Sequence, residues 1–282
     1  MLRWEDAGHT GIVFGAVPLE RAEAAAAVAT VMAFVRDCAV PLLVSSGTGP
    51  ALRGTATLMR AQTETFLLTA AHLLDDRVRL GDLMLPLPGG GWVNLDGARV
   101  CADADTDIVA VVPPRRTQTL LAGAWSAVPV SAVAGTDARA SANEEPAHYP
   151  HYFLAGYPAA MTRLRGEWFA AKRLVVISGE LPASAGETPD RGAVPDCAAH
   201  GHSAAHPHRD LLLEYSRTAP RIDGTEIHTP PLEGVSGAAI WAVRRVRGQS
   251  QLMIVGVQSS FRHSRYLRAH RLTPLQIRRM PL

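Results

Sequence analysis

From residue 41 onward the chain is a succession of short β-prone runs broken by turn residues. Strand follows strand, without the regular helix alternation of a parallel α/β sheet. LLVSS, GTATLMR, TFLLTAAHLL, LMLPLPGGGWVNL and ARVCADADTDIVAVV make a first block, which Pro113-Pro114 stops. HYFLAGYP, EWFAAKRLVVISGEL, RDLLLEYS, SGAAIWAVRRV and QLMIVGVQSSF make a second. Its last two runs flank a hairpin-like turn at Arg247-Gly248-Gln249-Ser250. Residues 115–150, rich in Ala, Ser, Thr and Gly, read as a connector between the blocks. This pattern predicts an all-β fold of two antiparallel barrels or sandwiches. Residues 1–17 are a short lead without a pattern. Residues 18–37 read as a helix, with Pro18 in its first turn, Glu20 and Glu23 near its start and alanines in its middle. A short closing helix is expected over 273–279. The division that follows is 1–40, an N-terminal helical extension; 41–125, a first barrel; and 126–282, connector, second barrel and tail.

Composition excludes several classes. At 282 residues the chain can bury a sizeable core, and 47% apolar with 19% charged residues is globular, not disordered. The formal charge, 28 − 26 = +2, gives no nucleic-acid footprint. The longest apolar stretch, 24–35, is interrupted by Thr30 and is well short of the about 20 residues of a membrane span. Cys38, Cys101 and Cys197 cannot all pair within one chain, so this is not a disulfide-built domain. The start, MLRWEDAGHTG, lacks an apolar targeting region, and a cytoplasmic location is expected.

Three strings carry chemistry together. Thr69-Ala70-Ala71-His72 ends an apolar strand. Asp105-Thr106-Asp107 enters the strand IVAVV. Gly234-Val235-Ser236-Gly237 is a glycine turn opening another strand. A serine hydroxyl is a poor nucleophile until a base takes its proton, and imidazole titrates in the right range. The imidazole must be held in one tautomer, which a carboxylate does. Glycines beside the nucleophile let backbone N–H groups turn toward a developing oxyanion. The spacings, 107 − 72 = 35 and 236 − 107 = 129, put histidine and aspartate in the first block and serine in the second. A cleft between the blocks then draws on both. Asp103 and Asp105 are rivals for the carboxylate.

TAAH, DIVAVV and GVSGAAIW resemble the three signatures of the chymotrypsin-like serine peptidases, over roughly residues 40–265. The resemblance implies two six-stranded β-barrels with a site in the cleft between them. It implies His72 as general base and acid, Asp107 as its orienting carboxylate, and Ser236 as nucleophile. The N–H groups of Gly234 and Ser236 are implied as the oxyanion hole. Asp107 is preferred over its rivals because it directly precedes the strand, as the family pattern requires. Residues 256–261 resemble the strand that pairs with substrate backbone, so Ser259, Ser260 and Phe261 are expected at the substrate. Ser259 matches a serine that often supports the triad aspartate, and Phe261 falls where digestive members carry glycine, narrowing the pocket. Val235 replaces the aspartate that pairs with a cleaved N-terminus on activation, so that switch is absent. Pro230 stands near the position of an acidic specificity residue, and neither Glu226 nor Glu233 can be assigned to it.

Other features are weighed as structural. Cys197, His200, His202, His206 and His208 fit no standard zinc module and read as a solvated loop. The six arginines of 262–279, interleaved with His263, Tyr266 and His270, read as a solvated face around the closing helix. Arg244, Arg245 and Arg247 read as an exposed hairpin. Cys38 and Cys101 read as small apolar residues. Gly89-Gly90-Gly91 lacks the lysine and helix of a phosphate loop. No metal or cofactor is expected. The expected function is a serine endopeptidase acting on a protein or peptide through an acyl-enzyme, narrow in specificity or gated by a regulatory protein partner. The alternatives are a catalytically silent binding module of the same fold and an esterase using the same residues.

Overall fold

The computed structural model describes residues 3–14, 29, 31, 34–35, 37–46, 49–75, 78–88, 90–102, 106–134, 149, 151–165, 168–182, 206, 208–221, 225–246, 249–262, 265–272 and 276. One sheet runs, edge to edge, Trp92–Asn94, Leu83–Pro86, Ala39–Ser46, Gly49–Ala61, Glu64–Ala70, Ile108–Val112, Arg99–Ala102, with Val128–Pro129 paired alongside Gly49–Ala61. The second runs Arg3–Val13, Trp168–Ser178, Tyr152–Gly156, Ala239–Val246, Gln249–Arg262, Tyr266–Arg271, Asp210–Glu214, Glu180–Leu181, with Thr162–Arg165 paired alongside Trp168–Ser178. The ladders are antiparallel except at Arg3–Val13 and Val128–Pro129. The fold is mostly β and includes a curled, half-barrel sheet. Two closed six-stranded barrels are not seen among the described residues.

The central strands are apolar on both faces because each lies between two cores. In Ile108–Val112, the residues Ile108, Ala110 and Val112 join one core shared by both sheets, while Val109 and Val111 join another, built mostly from the first sheet with Trp4, Phe169 and Ala171 of the second. In the second sheet, Phe153, Val175, Ile177 and Trp241 join the shared core. Leu154, Leu174, Val176 and Ile240 join a third core on the other face. The period-two alternation of strand side chains thus serves two apolar layers, which is why these runs read as continuous apolar stretches. Cys38, hydrogen-bonded to Val35 O at 3.4 Å, sits in the shared core, and burial pushes its thiol up to about 12. Its thiolate fraction at pH 8 is then on the order of 10⁻⁴. Iodoacetamide at pH 8 is expected to leave Cys38 unmodified in the folded protein, read by peptide mass.

Three sequence expectations meet a different structure. The lead of 1–17 contains the strand Arg3–Val13, so the described part of the 1–40 extension is not helical at its start. Trp4 stacks on Phe169 and meets Tyr157 edge-on, while Asp6 pairs with Arg173 at 3.1 Å. A shift in register between Asp6 and His9 breaks the period-two pattern that would reveal the strand. The connector begins with a helix, Arg115–Ala124. Its Gln118 is buried, donating to Pro113 O at 2.8 Å and accepting from Thr65 N–H at 2.9 Å. Within the basic tail, Tyr266–Arg271 is a strand, and Arg268, His270 and Arg271 are buried rather than solvated. The helix over 18–37 lies mostly outside the described residues, although Ala29, Val31, Phe34 and Val35 are helical. Of the closing helix only Gln276 is described.

Acids on neighbouring strands explain the buried cations. Asp210 Oδ2 accepts from Arg268 at 2.6 Å and from the His206 N–H at 2.7 Å, and Asp210 Oδ1 lies 2.9 Å from His270 Nδ1. Glu180 pairs with Arg271 and accepts from Tyr152 OH at 2.6 Å. Burial alone raises the Asp210 carboxyl. The bonds from His270, Arg268 and His206 outweigh it and hold the group well below the usual carboxylate range. A depressed folded value stabilises above the ordinary pKa of about 4, and the contribution is lost as pH falls toward the folded value. Asp210→Asn is expected to cost about 3–5 kcal/mol in urea unfolding at pH 7, because it leaves a cation buried without its charge partner. It should also flatten the acid limb of stability. A wild-type urea midpoint would show that the cluster does not secure these strands.

Candidate active site

His72 and Asp107 are brought together by sheet register. Ala70 pairs with Ile108 at the end of adjacent strands, and the Ala71 N–H donates to Asp107 O at 3.2 Å. His72 follows in the short 3-10 turn Ala71–Leu74. Asp107 then contacts it twice. Oδ1 accepts the His72 backbone N–H at 2.8 Å, and Oδ2 lies 2.6 Å from Nδ1. The side chains are 18% and 22% exposed. A carboxylate at Nδ1 holds the proton there and leaves Nε2 of the neutral ring as an acceptor. Arg53 secures the same turn, donating to the His72 and Leu73 carbonyls at 3.4 and 3.3 Å while paired with Asp75 at 2.9 Å. The rivals Asp103 and Asp105 lie outside the described residues.

Ser236 sits half-buried in the tight turn before Ala239–Val246. Two glycines make that turn. Gly234 has φ +88°, and a Cβ on it would run into Leu52 and lie 2.7 Å from Tyr157 O. Gly237 has φ +90°, and a Cβ there would strike Thr69 Oγ1 and Thr55 O. The backbone of the turn therefore lies against the strand end that leads to His72. Ser236 Oγ makes no hydrogen bond with His72 or with any other described residue. Such contacts are often loose before substrate binds.

The backbone pairing of the turn is more telling. All four carbonyls from 233 to 236 are engaged. Glu233 O accepts from Ala159 N–H at 2.6 Å, Gly234 O from Thr55 Oγ1 at 2.9 Å, Val235 O from Ala238 N–H at 3.0 Å, and Ser236 O from Thr55 N–H at 2.8 Å. Val235 N–H donates to Leu232 O at 2.9 Å and Gly237 N–H to Gln258 O at 2.8 Å. No described residue accepts the N–H of Gly234 or of Ser236. Two alternate donors are thus left over in a turn whose other groups are fixed, and a developing oxyanion needs such donors.

The expected substrate strand is bonded to this turn, since Gln258 N–H also donates to Ala238 O at 2.9 Å. Its side chains depart from expectation. Ser259 Oγ donates to Arg268 O at 3.3 Å, not to Asp107, because a register shift between Gln258 and Ser260 turns it toward the next strand. Ser260 is half-buried, and its carbonyl accepts from Gln258 Nε2 at 3.0 Å. Phe261 is buried in the third core with Ile12, Tyr215 and Leu213, which leaves it packing against the protein. Near Pro230, the carbonyl is taken by the Tyr215 hydroxyl.

Among the described residues no group of three or more His, Cys, Asp or Glu is placed to hold a metal ion. Cys197, His200 and His202 lie outside those residues. His206 and His208 are described, with ring centroids 5.8 Å apart. No described helix is long and apolar enough to cross a membrane. Thr55 and Arg53 are absent from the sequence-based set, and no motif marks them. Only the pairing of Gly49–Ala61 with its neighbours reveals them.

No protein family model and no curated protein matches the chain. Among solved structures, one from work on the coupled folding and binding of the intrinsically disordered VPg protein of Sesbania mosaic virus is similar in part. It superposes with a TM-score of 0.44 at 12% identity, over 83% of this chain and 85% of that one.

Proposed function

We propose that this chain is a serine hydrolase of chymotrypsin-like design, an endopeptidase whose two sheets serve as the two barrels of that family. Ser236 Oγ attacks the carbonyl carbon of a peptide bond while His72 Nε2 takes its proton. The oxygen of the tetrahedral intermediate is met by the N–H groups of Gly234 and Ser236. The carbon–nitrogen bond then breaks, and His72 returns the proton to the departing amine. Water, activated by the same imidazole, releases the acyl group from Ser236. Asp107 holds His72 in the tautomer this sequence of transfers needs.

One observation carries the reading: the turn fixes every carbonyl from 233 to 236 yet leaves the N–H groups of Gly234 and Ser236 without acceptors among the described residues. Losing one such donor typically costs about 10²–10³ in rate, so a pair of them is a large investment of backbone. The test is treatment of the full chain with a fluorophosphonate, followed by intact mass and peptide mapping. A single adduct on Ser236 is expected. An unmodified protein would sink the reading and favour a binding module on the same frame, to which the missing hydrogen bond between Ser236 Oγ and His72 already gives some weight. Hydrolysis of simple esters without hydrolysis of peptides would favour the esterase.

A further inference from the structure

We infer that Thr55, which no motif marks, is a positioning residue for the oxyanion donors, an inference that rests on the function proposed above. Thr55 is fully buried in the strand Gly49–Ala61 of the first sheet, and Ser236 lies in the turn that leads into a strand of the second. Its hydroxyl accepts the Tyr157 N–H at 3.1 Å and donates to Gly234 O at 2.9 Å. Its own N–H donates to Ser236 O at 2.8 Å, and its own carbonyl accepts from Thr69 Oγ1 at 2.8 Å. One residue thus grips the turn on both sides of Val235 and ties it to the strand that leads to His72.

The segment 157–159 is the other half of the device. The Ala159 N–H donates to Glu233 O at 2.6 Å. A trans, planar peptide points its N–H opposite to its carbonyl, so this bond sets the direction of the Gly234 N–H. Tyr157 keeps the segment in place from the far side. Its hydroxyl accepts from Arg173 Nε and Nη2 at 3.0 and 2.7 Å and donates to Ala39 O at 3.3 Å. Arg173 in turn is paired with Asp6 of the N-terminal strand. The Thr55 hydroxyl joins this braced segment to the nucleophile turn. Only a group that donates and accepts at once can make that joint. Valine has nearly the same shape and can do neither, which would leave the Gly234 carbonyl and the Tyr157 N–H buried without partners. Serine keeps the joint.

The test compares wild type, Thr55→Val and Thr55→Ser in the full chain, by the rate of fluorophosphonate acylation and by amide exchange over residues 232–238. Thr55→Val is expected to acylate about 10²-fold more slowly, the loss typical of one oxyanion donor, and to exchange faster over the turn. Thr55→Ser is expected within a few-fold of wild type on both. A Thr55→Val protein with wild-type acylation and exchange overturns the inference, as does a Thr55→Ser protein as slow as Thr55→Val. If Thr55→Val does not fold, Thr55→Ser decides alone, and a 10²-fold loss in it overturns the inference. An unreactive wild type defeats the proposed function instead. Exchange over 232–238 then still decides whether the hydroxyl holds the turn.

Discussion

Ser236→Ala is expected to lower peptide hydrolysis by about 10⁶-fold, the scale seen when a triad nucleophile is removed, and to abolish fluorophosphonate labelling. The covalent route disappears with Oγ, because the other hydroxyl bonded into the turn, that of Thr55, is fully buried and held between Tyr157 N–H and Gly234 O. A residual rate of about 10³–10⁴ over water should survive, since the backbone donors remain. Stability should hold within about 0.5 kcal/mol, because Ser236 is half-buried and its Oγ bonds no other described residue. The turn is built by Gly234 and Gly237 and by Thr55 and Ala159, none of which the substitution touches. The measurement is kcat/KM on a peptide beside the thermal midpoint. Turnover that persists at the wild-type rate with an unchanged midpoint would remove Ser236 from the chemistry.

What the sequence made legible is what period and punctuation encode. The apolar runs TFLL, IVAVV and AAIWAV are strands whose residues serve cores on both faces. His72 and Asp107 could be proposed as partners from their motifs, and the register of Ala70 against Ile108 brings them together. Elements without a clean period were invisible. Arg3–Val13 carries a register shift. Tyr266–Arg271 sets Arg268 and His270 between Leu267 and Ala269, so its charge reads as a solvated face, and the cations are buried because Asp210 and Glu180 come from elsewhere in the chain. Thr55 was invisible for a different reason. A threonine in a strand has no sequence mark for the carbonyl it will meet 179 residues later. Ser259 and Phe261 show the converse: a motif fixes where a strand lies, while a one-residue register shift decides which way its side chains turn.

The second large effect separates orientation from nucleophilicity. Asp107→Asn is expected to lower kcat by about 10⁴-fold at neutral pH while leaving Ser236 and His72 in place. The geometry fixes the outcome because Asp107 makes two contacts with one residue. The His72 backbone N–H is a donor, so the carbonyl oxygen of an asparagine must take the place of Oδ1, where it accepts at 2.8 Å. The amide nitrogen is then forced to the place of Oδ2, 2.6 Å from Nδ1. Two donors cannot share that contact, so the ring must present its lone pair at Nδ1 and carry its proton on Nε2. In the proposed mechanism that is the atom that accepts the proton of Ser236. The side chain cannot rotate to escape, because turning the amide over would set its NH₂ against the backbone N–H. Asp107→Asn therefore locks the wrong tautomer with almost no change in shape, and the thermal midpoint should move little while kcat collapses. Asp103→Asn and Asp105→Asn are expected near the wild-type rate. An Asp107→Asn protein with full activity, or an Asp105→Asn protein without it, would move the orienting role to the neighbouring carboxylate.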